Sequence, residues 1–305
     1  MPNPFTDFPN VDRRTLLAHL DAIPVDSYPF LAGYSREDVH RDLAGQGGLF
    51  LASDMALLLG LKPGMRVLDL GCGSGETSIF LARHFGVEVY GADSDAKMPE
   101  KLARKLADRS FESPVLPFTV DARRLPFEAA SFDAVFCMNS FFYFGTEPEF
   151  PRYLSAFLKP DGRLAIGGPC YKTELAPDTP AEFLLEYPAC LSVHSPSWWK
   201  GHFDRTGKYD QIVSEEHRDG VRFWPDRVHR LVEEQGIEEM REGTKQMVAA
   251  MLKMIANNDD GYVTHFILSA RRVPSPKRLP WQFPGVTREQ VEAVLDHAQY
   301  SLVNA

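Results

Sequence analysis

Hydrophobic positions in the middle of the chain follow two alternating periodicities. Short runs rich in β-branched and aromatic residues alternate with longer segments whose apolar residues recur every three or four positions. The strand-like runs are residues 65–70, 87–91, 115–120, 132–138 and 163–167, and the helical segments between them are 77–84, 96–109 and 147–158. This alternation predicts an α/β fold, a mostly parallel sheet with right-handed crossovers and helices on both faces. Lys159-Pro-Asp-Gly162 predicts a turn before the fifth strand.

The two ends of the chain are patterned differently. Residues 1–60 are predicted to be helical, with apolar faces at 13–23 and 49–59. After Gly168 the regular pattern stops until residue 207, and this segment is rich in proline and aromatic residues, which is typical of a functional insertion. The remaining predicted elements are strands at 209–213 and 262–270 and helices at 224–235, 238–255 and 287–301.

These patterns divide the chain into five predicted segments. They are an N-terminal helical lid at 1–60, a Rossmann-like core at 61–170, an aromatic-rich cap insertion at 171–207, a C-terminal part of the core at 208–272, and an extension with a terminal helix at 273–305.

Composition and charge exclude several classes of partner. With 33 basic and 42 acidic side chains the net charge is −9, so the basic surface that nucleic-acid binding requires is not expected. No apolar run is long enough to cross a bilayer and the first residues do not form a secretion signal, so we expect no membrane partner and a cytoplasmic location. The cysteines, Cys72, Cys137, Cys170 and Cys190, are expected to be reduced thiols, with Cys137 in a strand core, and no metal site is expected.

The glycine loop after the first strand is the most informative segment. Val67-Leu-Asp-Leu-Gly-Cys-Gly-Ser-Gly75 is an apolar strand that runs into three glycines and then into a helix. The dinucleotide fingerprint requires Gly or Ala at its sixth position, which here is Glu76, and Glu76 and Asp69 would both repel a pyrophosphate. The loop therefore favours a cationic ligand without phosphate, a description that S-adenosylmethionine meets.

Polar residues follow the next three strands. Asp93 ends the second strand, where an acidic residue can accept hydrogen bonds from ribose hydroxyls, and Asp121 ends the third. The fourth strand delivers Asn139, Ser140 and Tyr143 to the same carboxyl edge, which is where ligands bind in open α/β sheets. Each residue alone could equally be a cap or a loop residue, but their joint order favours a binding site.

Five motifs between residues 64 and 168 resemble class I S-adenosylmethionine-dependent methyltransferases of the small-molecule branch that includes ubiquinone-type and sarcosine-type enzymes. The motifs are Val67-Leu-Asp-Leu-Gly-Cys-Gly-Ser-Gly75, Val89-Tyr-Gly-Ala-Asp93, Asp121-Ala-Arg-Arg-Leu-Pro-Phe127, Ser131-Phe-Asp-Ala-Val135 and Leu158-Lys-Pro-Asp-Gly-Arg-Leu164. The resemblance implies a seven-stranded sheet whose last strand is antiparallel, with the three glycines beside the methionine moiety, Asp93 on the ribose, and Asp121 with Ala122 at the adenine. The predicted cofactor residues are Asp69, Gly71, Gly73, Gly75, Asp93, Ser94, Asp121, Ala122, Arg123, Asn139 and Ser140.

The acceptor site is predicted between aromatic segments. Residues 28–34 and 192–202 would roof a pocket whose floor is residues 141–143, and aromatic walls exclude water. Histidine titrates near neutrality, so His194 and His202 are candidate general bases, although a histidine beside tryptophan often only packs. The predicted catalytic residues are His194, Tyr143 and His202, and the predicted pocket residues are Tyr28, Tyr34, Phe142, Trp198 and Trp199.

The predicted reaction is transfer of a methyl group from S-adenosylmethionine, with S-adenosylhomocysteine as product, to an N, O, S or C atom of a small-molecule metabolite. Two alternatives stay open, a cyclopropane-synthase-like enzyme acting on lipid chains and a non-catalytic cofactor-binding subunit of a larger complex. A nicotinamide oxidoreductase is disfavoured by Glu76. The role of the C-terminal extension, including a contact in a homodimer, is left open.

Overall fold

The computed structural model describes residues 22–107, 113–175, 192–235 and 262–274, together with Leu20 and several single positions between 240 and 255. Seven strands form one sheet in the order β3-β2-β1-β4-β5-β7-β6. The strands are β1 Arg66–Leu70, β2 Glu88–Asp93, β3 Val115–Thr119, β4 Phe132–Met138, β5 Leu158–Tyr171, β6 Tyr209–Glu216 and β7 Val263–Arg272. The helices are α1 Arg36–His40, α2 Gly48–Leu59, α3 Glu76–Phe85, α4 Lys97–Ala107, α5 Phe150–Ser155, α6 Pro196–Asp204 and α7 Phe223–Gln235.

The sheet confirms the predicted Rossmann-like architecture. β1 to β5 pair in parallel, and β7 pairs antiparallel with both β5 and β6. The strand predicted at 132–138 coincides with β4, and the strands predicted at 65–70, 87–91 and 115–120 differ from β1, β2 and β3 by two residues or fewer at either end. The order reverses between β1 and β4, so the carboxyl ends of these two strands flank the crevice in which such sheets bind ligands.

The turn predicted at residues 159–162 is wrong. These residues belong to β5, where Leu158 pairs with Phe132 and Arg163 already pairs with Ala134. β5 therefore advances five residues while β4 advances two, and Asp161 takes up the extra length with a φ of 65°. The turn-forming residues make a bulge inside one long strand, and the helix before it is correspondingly shorter than predicted.

Two apolar layers cover the sheet. On one face α2 lies directly on β5, so closely that a Cβ on Gly167 would stand 2.5 Å from the Met55 sulfur. On the other face Trp199 and Phe203 of α6 are fully buried against Phe141, which follows β4. The aromatic segment that was predicted to cap a pocket thus contributes, in its described part, a core helix.

Several predictions fall on residues that the structure does not describe. They are most of the helix at 13–23, the helix at 287–301, most of the helix at 238–255, residues 176–191 of the cap insertion, and Cys190. The described thiols of Cys72, Cys137 and Cys170 are free and buried, as predicted for Cys137 in the core of β4. Within the described ranges, no helix is both long and apolar enough to span a membrane.

Candidate functional site

A cleft of about 710 Å³ opens at the carboxyl ends of β1, β2, β3 and β4. Ten of the predicted site residues line it, and they come from the loops that follow these four strands. They are Gly71, Gly73, Asp93, Ser94, Asp121, Ala122, Arg123, Asn139, Ser140 and Tyr143. The structure thus gathers residues from the loops after four different strands along one cleft.

The loop from Gly71 to Gly75 has the conformation that its glycines were predicted to permit. Gly71 has a φ of 75°, and a Cβ there would lie 2.2 Å from the Ser140 hydroxyl. Ser140 in turn donates to the Gly71 carbonyl at 3.0 Å, which fastens the glycine loop to the end of β4. Gly75 does not line the cleft, since it lies against Leu102 of α4 with a φ of 86° and allows the helix to approach the loop.

Asp69 lies behind the loop rather than in the cleft. Its side chain is buried and accepts hydrogen bonds from the Thr77 hydroxyl at 2.6 Å and the Ser78 hydroxyl at 2.7 Å. Burial raises the pKa of this carboxyl to about 6, against the lowering effect of the two hydroxyl donors. Asp69 therefore connects the end of β1 to the first turn of α3, and it does not line the cleft as a cofactor ligand would.

Asp93 and Asp121 point their acceptors to the cleft. The two oxygens of Asp93 accept from the backbone N–H groups of Gly73 at 2.9 Å and Asp95 at 3.0 Å. A carboxylate has about four lone-pair positions, so Asp93 keeps acceptor capacity for a ligand after these two bonds. Asp121 accepts from the Arg123 N–H at 2.9 Å and is otherwise exposed at the cleft.

One rim of the cleft joins the loops after β3 and β4. Arg123 donates to the Tyr143 carbonyl at 3.4 Å and pairs with Glu147 at 3.1 Å. The Tyr143 side chain is 66% exposed on this rim, at the same end as Asp121. Tyr143 therefore lies on the cleft rim beside the loop that carries Asp121 and Arg123.

Asn139 occupies the opposite side, where β4 ends. Its φ is 55°, and its amide nitrogen donates to the Gln46 carbonyl at 2.8 Å. Its buried Oδ1 atom has no hydrogen-bond partner among the described residues. An unpaired acceptor at a buried position is costly, so this atom marks a place where a ligand donor would be stabilising.

A segment that sequence analysis missed forms a further wall. Residues 42–45 line the cleft, and we call residues 42–46 the strap. The Ser74 hydroxyl donates to the Asp42 carbonyl at 2.8 Å, and Lys105 pairs with the Asp42 carboxylate at 2.9 Å. Gly45, Gly47 and Gly48 lie close together here, and this glycine density was the one signal in the sequence that could have marked the strap.

Glu76, the acidic residue that follows the glycine loop, is paired with a lysine in the structure. Lys105 also pairs with Glu76 at 2.7 Å, so the carboxylate at the start of α3 is neutralised locally. The remaining charges on the cleft are four aspartates, Asp42, Asp93, Asp95 and Asp121, against Lys101 and Arg123. The acidic excess of the cleft therefore comes from residues after β2 and β3 and from the strap.

The two predicted histidine bases lie elsewhere. His202 donates from Nε2 to the Gly145 carbonyl at 2.9 Å and accepts from Arg205 at Nδ1. Burial lowers the pKa of His202 to about 4, and neither ring nitrogen is left to take a proton from an acceptor. His194 stacks on Trp198 at 3.7 Å and contacts Glu174 at 3.1 Å, and it does not line the cleft in the described part of the chain.

The five predicted pocket residues also lie away from the cleft. Tyr28 is buried and donates to Asp219 at 2.6 Å, and Tyr34 shares a hydrogen bond of 2.9 Å with His84. The other three, Phe142, Trp198 and Trp199, pack in or against the core on the α6 face. Aromatic side chains in a proline-rich segment were predicted as pocket walls, but packing against β7 and Phe141 buries Trp199 instead.

Comparisons with known proteins agree with this geometry. A family model described as "Methyltransferase domain" matches residues 67–162, which contain the glycine loop, Asp93 and Asp121. The 27-O-demethylrifamycin SV methyltransferase of Amycolatopsis mediterranei is 33% identical over 38% of this chain and 43% of its own, so the match covers less than half the length of that relative.

Solved structures extend the likeness to the fold of most of the chain. A putative sarcosine dimethylglycine methyltransferase from Galdieria sulphuraria superimposes with a TM-score of 0.62 at 18% identity, covering 73% of this chain and 84% of that one. Phosphoethanolamine N-methyltransferase 2 of Haemonchus contortus, solved with phosphomonomethylethanolamine and S-adenosylhomocysteine, gives 0.64 at 16% identity, covering 90% and 60%. Residues 67–162 therefore match the methyltransferase domain family, and most of the chain shares the fold of these solved methyltransferases.

Proposed function

We propose that this chain binds S-adenosylmethionine in the cleft and transfers its methyl group to a small-molecule acceptor. The observation that carries the proposal is the cleft itself, with its glycine loop, two carboxylates at the ends of β2 and β3, and an unpaired buried acceptor on Asn139. The order of these groups along the cleft supports binding of the cofactor's methionine, ribose and adenine moieties in the same order.

The residues present fit this cofactor. A volume of about 710 Å³ lies within the range of small-molecule sites. Four aspartates against two basic residues favour a ligand that carries sulfonium and ammonium charges and no phosphate. Asp93 would hold the ribose, Asp121 and Ala122 the adenine, Gly71 and Gly73 the methionine moiety, and the Asn139 Oδ1 atom would accept from the ammonium.

When bound, the cofactor supplies an electrophilic methyl carbon on a positively charged sulfur. The chain's contribution is to fix the direction from which an acceptor can approach and to exclude water, and positioning of this kind supplies a large part of a displacement rate. Gly71 and Gly73 hold one wall, and the strap holds another. None of the described residues that line the cleft is a histidine, so the proposal assigns catalysis to positioning.

The acceptor is proposed to be a small metabolite. Relatives of this chain include methyltransferases named for a rifamycin and for phosphoethanolamine, and both names denote small molecules. The net charge of −9 disfavours nucleic acid and anionic lipid surfaces as partners. A homodimer is a further element of the proposal, to be tested by sedimentation.

Isothermal titration with S-adenosylmethionine and S-adenosylhomocysteine tests cofactor binding. Asp93→Asn keeps an oxygen for the Gly73 N–H but removes the charge, and it should weaken binding about tenfold or more, about 1.4 kcal/mol. Asp26→Asn makes the same charge change at an exposed position outside the cleft and should leave binding unchanged. Absence of binding to the native chain would refute the proposal.

Turnover separates methyl transfer from the alternatives. Release of S-adenosylhomocysteine should be followed with small amines, phenols and thiols as acceptors, beside vesicles of anionic lipid. Turnover with a soluble acceptor supports the proposal, whereas turnover only with vesicles favours a lipid-modifying enzyme. Cofactor binding that yields turnover only after a second protein is added favours a subunit of a complex.

A further inference from the structure

α7 reaches the cofactor cleft through the strap. Arg227, in the first half of this helix, donates from one terminal nitrogen to the Leu43 carbonyl at 2.9 Å and to the Gly45 carbonyl at 3.3 Å. Both carbonyls belong to residues that line the cleft. Arg227 lies outside the matched methyltransferase domain and is separated from the strap by more than 180 positions in sequence.

Arg227 is placed as a buried clamp rather than as a surface charge. Only 7% of the residue is exposed, and its Nε atom has no hydrogen-bond partner among the described residues. Burial lowers the pKa of its guanidinium to about 10, and Arg230 nearby adds to this effect. A buried cation held mainly by two backbone carbonyls is expensive to keep, which argues for a role beyond packing.

The neighbouring residue anchors the chain that leads into the strap. Asp226 is fully buried and accepts from the Ile23 N–H at 2.7 Å, from His40 at 2.7 Å and from Arg36. The first turn of α7 thus holds the N-terminal segment before the strap through Asp226 and the strap itself through Arg227. Two consecutive side chains therefore set where the strap lies.

The far side of the strap is held by the cofactor-binding elements. Asp42 is bonded to Ser74 of the glycine loop and to Lys105 of α4, and the Gln46 carbonyl accepts from Asn139. Gly45 is so close to Asn139 that a Cβ would lie 2.2 Å from the amide nitrogen. Movement of the strap would change the position of Asn139 and of the glycine loop together.

We propose that Arg227 is a positioning residue for the cofactor site. By holding the Leu43 and Gly45 carbonyls, it keeps the strap in place as a wall of the cleft. The position of the strap then sets the affinity for S-adenosylmethionine and the rate at which the product leaves. This inference rests on the proposed function. It assigns to α7, outside the matched domain, control over the position of one wall of the cleft.

The test compares binding by three variants of the full chain. Arg227→Met keeps the apolar stem and removes every donor, Arg227→Lys keeps the charge and a donor, and Arg152→Met makes the same change at a buried arginine of α5, away from the strap. Affinities for S-adenosylmethionine and S-adenosylhomocysteine are measured by titration, and dissociation rates are measured by stopped flow. Hydrogen–deuterium exchange measures the protection of the strap amides. Thermal unfolding shows whether each variant is folded.

We expect Arg227→Met to weaken binding of both ligands about tenfold, mainly through faster dissociation, with faster exchange at residues 43–45. Arg227→Lys should restore part of the affinity. Arg152→Met should lower the stability of the protein but leave the affinity for both ligands unchanged. Native affinity and native exchange in Arg227→Met would overturn the inference while leaving the proposed function intact. If Arg227→Met does not fold, Arg227→Gln decides, because it shortens the side chain and removes the charge, and native dissociation and exchange rates in that folded variant would overturn the inference equally. Failure of the native chain to bind either ligand would refute the proposed function, and the inference with it.

Discussion

Asp69 provides a quantitative test of how the glycine loop is built. This carboxyl is 1% exposed and its pKa is raised from 3.8 to about 6, mainly by burial. Because the native state holds this proton more tightly than the unfolded state, the contribution of Asp69 to stability is highest below pH 3.8 and falls as the pH rises from 3.8 to about 6. The difference corresponds to a loss of about 3 kcal/mol at neutral pH relative to a neutral side chain.

Replacing the charge should recover part of this free energy. In Asp69→Asn, the amide oxygen can still accept from the Thr77 and Ser78 hydroxyls, which both donate to one carboxylate oxygen in the native chain. The variant should therefore be more stable than the native protein at pH 8, by up to about 3 kcal/mol. Between pH 5 and pH 8 the gap should widen by about 1.4 kcal/mol, because one pH unit separates pH 5 from a pKa of about 6.

Urea unfolding of both proteins at pH 5, 6.5 and 8 measures the gap, provided that the two unfolding slopes agree. Asp26→Asn, at an exposed site, controls for the change in net charge. A variant that is less stable than the native protein at pH 8 would show that the ionised carboxylate stabilises the loop. A gap that does not change with pH would show that burial does not perturb this group, and either result would refute the reasoning.

Three further substitutions probe the cleft and its surroundings. Gly45→Ala should weaken binding of S-adenosylhomocysteine about tenfold in a titration, about 1.4 kcal/mol, because the new Cβ would stand 2.2 Å from the Asn139 amide nitrogen. Native affinity would show that the strap can shift without affecting the ligand. Tyr143→Phe should bind the cofactor as the native chain does, whereas Tyr143→Ala, which removes the aromatic ring, should lose about 1 kcal/mol of binding free energy. A large loss in the Phe variant would show that the hydroxyl contributes to binding. His194→Ala should leave cofactor affinity and methyl transfer unchanged, since the ring packs on Trp198 outside the cleft; loss of turnover at native affinity would restore it as a base.

The parts of the fold that sequence predicted well are those fixed by local patterns. An apolar run with glycines after it specifies both β1 and the loop, and the position of Asp93 at the end of β2 follows from strand length alone. Once the parallel order is known, the carboxyl ends of four strands must meet at one edge, so Asp121 and Asn139 could be placed in the cleft without knowledge of any contact.

The parts that sequence did not predict depend on contacts between distant segments. The strap lines the cleft because Ser74, Lys105 and Arg227 hold it, and these side chains come from three different elements. Likewise, nothing local distinguishes an aromatic residue that walls a pocket from one that fills a core. Trp199 is core because Phe266 of β7 lies beneath it, a fact that only the sheet order decides.

The two sides of the glycine loop explain why this chain keeps an expensive buried carboxylate. Asp69 lies behind the loop and Asp93 in front of it, and the negative charge of Asp93 adds to the effect of burial in raising the pKa of Asp69. The loop would gain stability by losing the Asp69 charge, and an ionisable group kept at a cost in stability is the usual sign of a site shaped by its ligand rather than by folding. A ligand with a positive charge at this end of the cleft would offset the repulsion, whereas a pyrophosphate would add to it. The placement of Asp69 and Asp93 therefore favours a cationic ligand, as the acidic excess of the cleft does, and it involves no residue of the strap.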